Sequence, residues 1–473
     1  ATAQPQAGKA KAAKATKVKK APVAVSNTSS LPSVTLQPQR LGAASFRQRY
    51  GLRYAYLAGA MYKGITSKEL VIRMGQAGLL GFLGTAGMTL EQIEADLQVI
   101  QQQLSGDQAY GLNLLCHLDQ PQIEMDTVAL YLRHGVTCVE AAAFMVMTPA
   151  LVYYRLSGLQ RGEDGSIECR HRIIAKVSRP EVAMAFLTPA PARLVQPLLD
   201  KGLITQAQAD MGQQVAMSFD LCVEADSGGH TDQGVATVLL PAMQRLKQQI
   251  EQEYRYEQPI HIGLAGGIGA PESAAAAFMM GADFILTGSI NQCTVQGGTS
   301  DAVKDLLQDI NVQDTDYAPA GDMFELNAKV QVLKKGVFFP ARANKLLMLY
   351  NHYECWQDIP DKIQQQLETR YFQKTFTQVW QEVQDYHSRK GQQATLDKAN
   401  NHPKHKMALV FRWYFAYSAR LAFAGDTANQ VDFQVHTGPA LGAFNQWVKD
   451  THLATWRQRH VDDIAERLMT ATA

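Results

Sequence analysis

The chain has 473 residues, 46% of them hydrophobic, with 45 basic against 44 acidic side chains. That is enough apolar material for one large domain and a smaller one, and a formal net charge of +1 gives no reason to expect nucleic acid or a membrane surface as the main partner. The six cysteines, Cys116, Cys138, Cys169, Cys222, Cys293 and Cys355, form no CxxC pair, which argues against a disulfide-built or zinc-built scaffold and points to a reduced, cytoplasmic protein.

Residues 1–40 are rich in Ala, Lys, Pro, Gln and Ser, with six lysines in the first twenty positions and no acidic residue before Glu69. This composition predicts a disordered tail or linker. It lacks the apolar stretch of a signal peptide, and lysines stand where a transit peptide would carry arginines. The missing initiator methionine suggests a processed or trimmed chain.

From Tyr54 the pattern alternates strand and helix. Residues 54–60 predict the first strand, and Thr66-Ser67-Lys68-Glu69 reads as a capping box opening the helix after it. Residues 80–84 predict the second strand. Thr89-Leu90-Glu91-Gln92 is a second capping box, leading a helix whose apolar stripe is Leu90, Ile93, Leu97, Ile100 and Leu104. Strands follow at 110–115, 136–141 and 173–177, the last running into Ser178-Arg179-Pro180-Glu181, a third capping box with Pro near the first helical position. The sixth strand, 221–225, comes after an extra helical segment at about 191–217.

The stretch from Pro259 to Ser289 carries the strongest local signal. An apolar strand at 260–265 ends in Gly266-Gly267-Ile268-Gly269, Pro271 opens an Ala-rich helix that stops at Gly281, and a strand at 283–287 ends in Gly288-Ser289. Two successive strands ending in glycine loops expose backbone N–H groups suited to a phosphate; the alternative is glycines that only make tight turns. A dinucleotide fingerprint fits poorly, because Glu272 occupies its third glycine position. Eight strands alternating with helices predict an α/β fold, a (β/α)8 TIM barrel with its chemistry in the loops after the strands, and a doubly wound open sheet is the runner-up. Past Asp316 the strand signal disappears, and residues 323–473 read as helices, including 361–387 and an aromatic-rich segment at 407–424. Arg412 and Arg420 lie inside that segment, so a buried helix is expected rather than a membrane span. The expected division is therefore a linker at 1–40, a barrel at 41–315 and a helical domain at 316–473.

The loop after the sixth strand, Glu224-Ala225-Asp226-Ser227-Gly228-Gly229-His230-Thr231-Asp232, is the most polar of the eight. Gly228 and Gly229 allow close backbone approach to a ligand, and His230 can donate a proton near neutral pH. Ala60 and Met61, after the first strand, would let a flat ring lie against the backbone. Asn113 and Lys176 are polar side chains in otherwise apolar strands and need partners when buried. A flavin supplies one for each, at its pyrimidine edge and near N1 and O2; an ion pair with Glu140 or Glu224 is the alternative for Lys176. His402-Pro403-Lys404-His405 has a spacing open to metal but reads as a solvated turn, and Phe411, Trp413, Tyr414, Phe415 and Tyr417 read as core.

LAGAM at the first strand, GLNLL at the third, EADSGGHTD after the sixth, GLAGGIG after the seventh, ILTGSINQ after the eighth and HTGPALGAFNQW at 436–447 together resemble the nitronate monooxygenase and flavin-dependent enoyl reductase superfamily. From Leu41 onward the chain is most similar to the PfaD family, the separate enoyl reductases of polyunsaturated fatty acid and polyketide synthases. The resemblance implies FMN in the barrel, NADPH or NADH as hydride donor, and an enoyl thioester on an acyl carrier protein as substrate. It implies that Gly228, Gly229, Gly266, Gly267, Gly288 and Ser289 hold the FMN phosphate, with Thr287 also in the cofactor site, that Ala60, Met61, Asn113 and Lys176 contact the ring, and that His230 orients substrate or protonates its α-carbon. The broader superfamily has EAGGH where this chain has the longer EADSGGH, so the motif alone does not fix the reach of His230. A nitronate monooxygenase-like flavin oxidase and a barrel binding a sugar phosphate are the alternatives. The resemblance leaves a homodimer open, and chain length, double-bond position and choice of nicotinamide are not written in these motifs.

Overall fold

The computed structural model describes residues 36–473; the lysine-rich tail predicted at the N-terminus lies almost wholly outside them. Eight parallel strands form a closed barrel: β1 (Tyr56–Ala58), β2 (Leu80–Leu83), β3 (Gly111–Leu115), β4 (Cys138–Ala142), β5 (Arg172–Val177), β6 (Asp220–Glu224), β7 (His261–Ala265) and β8 (Ile285–Thr287). Each strand pairs with its sequence neighbours, and β8 returns to β1 with Tyr56 opposite Ile285. The strands are short and apolar because both faces are covered, by the packed interior on one side and by helices on the other. The predicted strands lie where the sequence puts them, and the barrel excludes the open sheet.

Two of the three expected capping boxes differ. Thr89 and Gln92 form theirs reciprocally. At the first helix Ser67, not Thr66, is the cap, because the Thr66 hydroxyl is taken by the loop after β1: it accepts from Met61 N at 2.9 Å and donates to Gly59 O at 2.8 Å. Arg179 precedes the helix Pro180–Leu187 without a side-chain cap, and Ser178 instead donates to Asp232 Oδ2 at 2.6 Å. In both places a residue suited to capping ties down a loop at the barrel mouth.

After β8 the chain does not continue as helices alone. Two further strands, β9 (Thr315–Pro319) and β10 (Lys329–Leu333), pair antiparallel, and β10 also pairs with Gly229 and His230. The predicted helix at 361–387 is broken: Asp361–Gln366 leads into a π-helical turn, Gln373 takes a left-handed φ of 54°, and a new helix runs Phe376–Arg389. The aromatic segment is the helix Pro403–Ala424, and its Phe411, Tyr414 and Phe415 are buried in a hydrophobic core of their own that gathers residues from Ala318 to Phe415. Phe433 and later apolar residues rejoin the barrel core. The last helix, Val461–Thr472, packs against Pro271–Met279 and Lys68–Gln76, closing the outer ring between the helices that follow β7 and β1. The helical unit is thus an insertion between β8 and its outer helix, and the chain after it returns to the barrel. Among the described residues no single helix is long and apolar enough to cross a membrane.

Candidate functional site

Three loops converge at the C-terminal end of the barrel. A Cβ added to Gly228 would stand 2.7 Å from the Thr437 backbone and 2.8 Å from Ser289 Oγ, so only glycine lets the loop after β6 approach the loop after β8. Gly266, at a φ of 95°, would place a Cβ 2.6 Å from Ala225 O, a conformation and a contact that both require glycine. Beside Gly267 and Gly288, by contrast, an added Cβ would meet nothing within 4 Å. The ends of β7 and β8 therefore present backbone without side-chain bulk to open space, walled by Gly228 and Ser289. That arrangement fits a phosphate group held by main-chain donors. Ser289 Oγ accepts from Gly438 N at 3.1 Å, which brings the late HTGP segment to the same wall. Thr287 contributes less than its hydroxyl suggests. That oxygen is buried and already bonded to Tyr56 at 2.6 Å and Asn291 at 2.9 Å.

A charged cluster lies at the ends of β4, β5 and β6. Lys176 Nζ stands 2.9 Å from Glu224 and 3.6 Å from Glu140, and Glu140 is fully buried. Its other oxygen accepts from Ala60 N at 2.7 Å, fixing the end of β1. Burial opposes the charge on Lys176, but the two carboxylates outweigh it and hold the ammonium above its ordinary pKa. Burial pushes Glu140 up, and the lysine offsets only part of that rise. Lys176 thus makes the ion pair with Glu140 and Glu224 that the sequence offers as one of its two readings. Asn113, also buried, donates to Glu140 O at 3.1 Å, so its amide already has a protein partner. Ala60 and Met61 are partly exposed at the rim.

His230 is half exposed, and its Nε2 lies 2.9 Å from Asp322 in the insertion. Burial works against its charge, but Asp322 more than offsets this and raises the imidazole pKa. Of the two added residues of the EADSGGH loop, Asp226 has a clear use. Asp226 accepts from the Tyr317 hydroxyl on β9, from Gln331 Nε2 on β10 at 3.2 Å, and from Thr231 Oγ1 at 2.7 Å. The longer loop is the one the insertion grips. Asp232, farther along, is held by Ser178 and Arg179.

A second histidine belongs to the site and escapes sequence reasoning. The His436 ring lies 6.4 Å from that of His230, edge to face, with its Nδ1 3.6 Å from where a Cβ on Gly229 would stand. Burial, and then the neighbouring His230, lowers its pKa to about 4, so it stays neutral beside a charged partner. The signal available in the sequence is His-Thr-Gly directly before Pro439, the first residue of a helix. His405 bonds to Glu325 at 2.9 Å, and among the described residues no group of three or more metal-ligating side chains comes together.

Comparison with known proteins bears on the whole arrangement. The chain superposes on the enoyl reductase domain of MlnA from the macrolactin biosynthesis cluster of Bacillus amyloliquefaciens with a TM-score of 0.88 and 46% identity, covering 92% of this chain and 97% of that one. The chain belongs to the PfaD family of enoyl reductases. Within that family it is 53% identical, over 92% of its length, to the polyketide biosynthesis protein PksE of Bacillus subtilis strain 168, and 42% identical, over 87%, to a polyunsaturated fatty acid synthase polypeptide of Thraustochytrium sp.. It spans 56% of the first of these relatives and 28% of the second, so each carries much that this chain does not. Residues 353–433 match the inserted helical domain of [acyl-carrier-protein] S-malonyltransferase, within the insertion between β8 and the last helix.

Proposed function

We propose that this protein is an FMN-dependent enoyl reductase that uses NADPH or NADH to saturate the 2,3 double bond of an enoyl thioester carried by an acyl carrier protein of a polyketide or polyunsaturated fatty acid synthase. The observation that carries the reading is the near-complete overlap, at 46% identity, with a solved enoyl reductase domain. The open backbone at Gly267 and Gly288, where an added Cβ would meet nothing within 4 Å, supports a phosphate-bearing cofactor, held with Gly228, Gly229, Gly266 and Ser289. Bound there, FMN supplies hydride transfer from the nicotinamide to the β-carbon of the substrate.

The chain's own residues do the rest. Glu140, by holding Ala60 N, and Thr66, by holding Met61 N, fix the rim against which a flavin ring would lie. Lys176 keeps its charge between Glu140 and Glu224, so this corner holds one positive and two negative groups instead of a free ammonium. Charge developing on the thioester oxygen needs donors in a site closed to water. The backbone beside Gly229 and His230 is the source we assign, held in place by its pairing with β10 and by Asp322 of the insertion. His230, charged through Asp322, delivers the proton to the α-carbon; neutral His436 can donate one hydrogen bond but carries no spare proton.

NADPH oxidation on adding a crotonyl pantetheine thioester tests the reading. His230→Ala should lower turnover about 100-fold, as expected for loss of a general acid, while flavin stays bound. Full turnover in that variant would remove His230 from the mechanism.

A further inference from the structure

We propose that the opposite end of the barrel carries a binding site for a small ligand of the diphosphate class. A cavity of about 480 Å³ opens there between the starts of β5 and β6 and a surface hairpin formed by residues 159–169. Arg49, Arg155, Arg170 and Arg172 line it against only two carboxylates, Asp220 and Glu168, which leaves a formal charge of +2. Arg172 and Asp220 are the first residues of their strands, so this cavity lies at the end remote from the glycine loops.

The excess lies on three of the four arginines. Of the four arginines only Arg49 forms an ion pair among the described residues, with Asp220, and the same carboxylate also accepts from Tyr50 at 2.7 Å and bonds His261 at 2.7 Å. Asp220 therefore has nothing left for the cavity. Arg155 is 2% exposed, yet its guanidinium bonds only to carbonyls, those of Ala216 and His171. Those carbonyls satisfy its donors and leave its charge uncompensated in a poorly solvated place. Arg172 lies over the Tyr50 ring at 5.4 Å, and Arg170 is exposed at the hairpin base. The Arg170 and Arg172 guanidiniums have neither a carboxylate nor a carbonyl partner among the described residues; with the buried charge of Arg155 behind them, in a cavity of small-molecule size, they suit paired phosphates, which arginine binds in a bidentate fashion. A single carboxylate would leave half of the formal charge unanswered.

Calorimetric titration of inorganic pyrophosphate into the full-length protein saturated with FMN tests this. The wild type should show one saturable site, and R170Q/R172Q should bind at least about tenfold more weakly, as expected for loss of two charge-assisted contacts, with an unchanged flavin spectrum and unchanged enoyl reduction. The comparison between the two proteins holds whether or not flavin is bound. No saturable binding by the wild type, or equal binding by the variant, would overturn the proposal. Soaking wild-type crystals gives a readout that needs no variant: pyrophosphate density against Arg170 and Arg172 supports the site, and density elsewhere or none contradicts it. An ADP arm assigns the diphosphate to a nucleotide if ADP binds more tightly, and to a simpler diphosphate if it does not.

Discussion

The barrel and the insertion are built on opposite terms. The barrel buries charge: Glu140, Lys176, Arg155 and Asp220 all lie on or beside its strands, and each needs several partners to be tolerated there. The insertion buries rings. Phe324, Phe339, Phe411, Tyr414 and Phe415 pack edge to face or stacked around one helix, with few charges inside. The barrel thus supplies the polar groups a reaction needs, and the insertion supplies a separately packed core that brings Asp322 and Tyr317 onto the loop after β6.

The sharpest way to break that contrast is to damage each core. Phe411→Ala, at a fully buried ring, should destabilise the protein by about 3–5 kcal/mol through the cavity it leaves, seen as a lower denaturation midpoint by circular dichroism. Lys176→Met should cost about 3 kcal/mol by leaving Glu140 buried beside a second carboxylate. If Glu140→Gln is then added to Lys176→Met, much of the loss should return; no recovery would mean that the charge cluster is not what Lys176 maintains.

Smaller changes address the joint between the two bodies. Tyr317→Phe removes one hydrogen bond to Asp226 and should cost about 1 kcal/mol, and it should raise KM more than it lowers kcat if the loop is held for substrate. Asp322→Asn acts on pH dependence. Asp322 raises the His230 pKa against burial, so this pairing is fully present below the ordinary imidazole pKa and is lost as pH rises through the raised value. In the variant the alkaline fall of kcat/KM should move to lower pH; an unmoved profile would dissociate His230 from that limb.

What the sequence makes legible follows the same division. All eight barrel strands and the glycine loops are readable because their signals are local: a short apolar run, a positive φ at Gly266, a proline opening a helix. The alternation in Lys329–Leu333 is just as regular, yet β10 goes unread because its partners, β9 and Gly229–His230, are set by the tertiary fold. The same reason hides His436, whose importance lies in facing His230. Thr66 and Ser178 mislead because capping is the local use of a hydroxyl, and here each is spent on a distant or looping partner. The break at Gln373 has no proline or glycine to announce it.

The central claim, that one flavin at the barrel mouth passes hydride from a nicotinamide to an enoyl thioester, is tested most directly by following the visible spectrum anaerobically. NADPH should bleach the flavin of the purified protein, and a crotonyl carrier thioester added afterwards should restore the colour in equal molar amount. A flavin that NADPH bleaches but the enoyl thioester cannot restore, or a protein that takes up no flavin, would contradict the account.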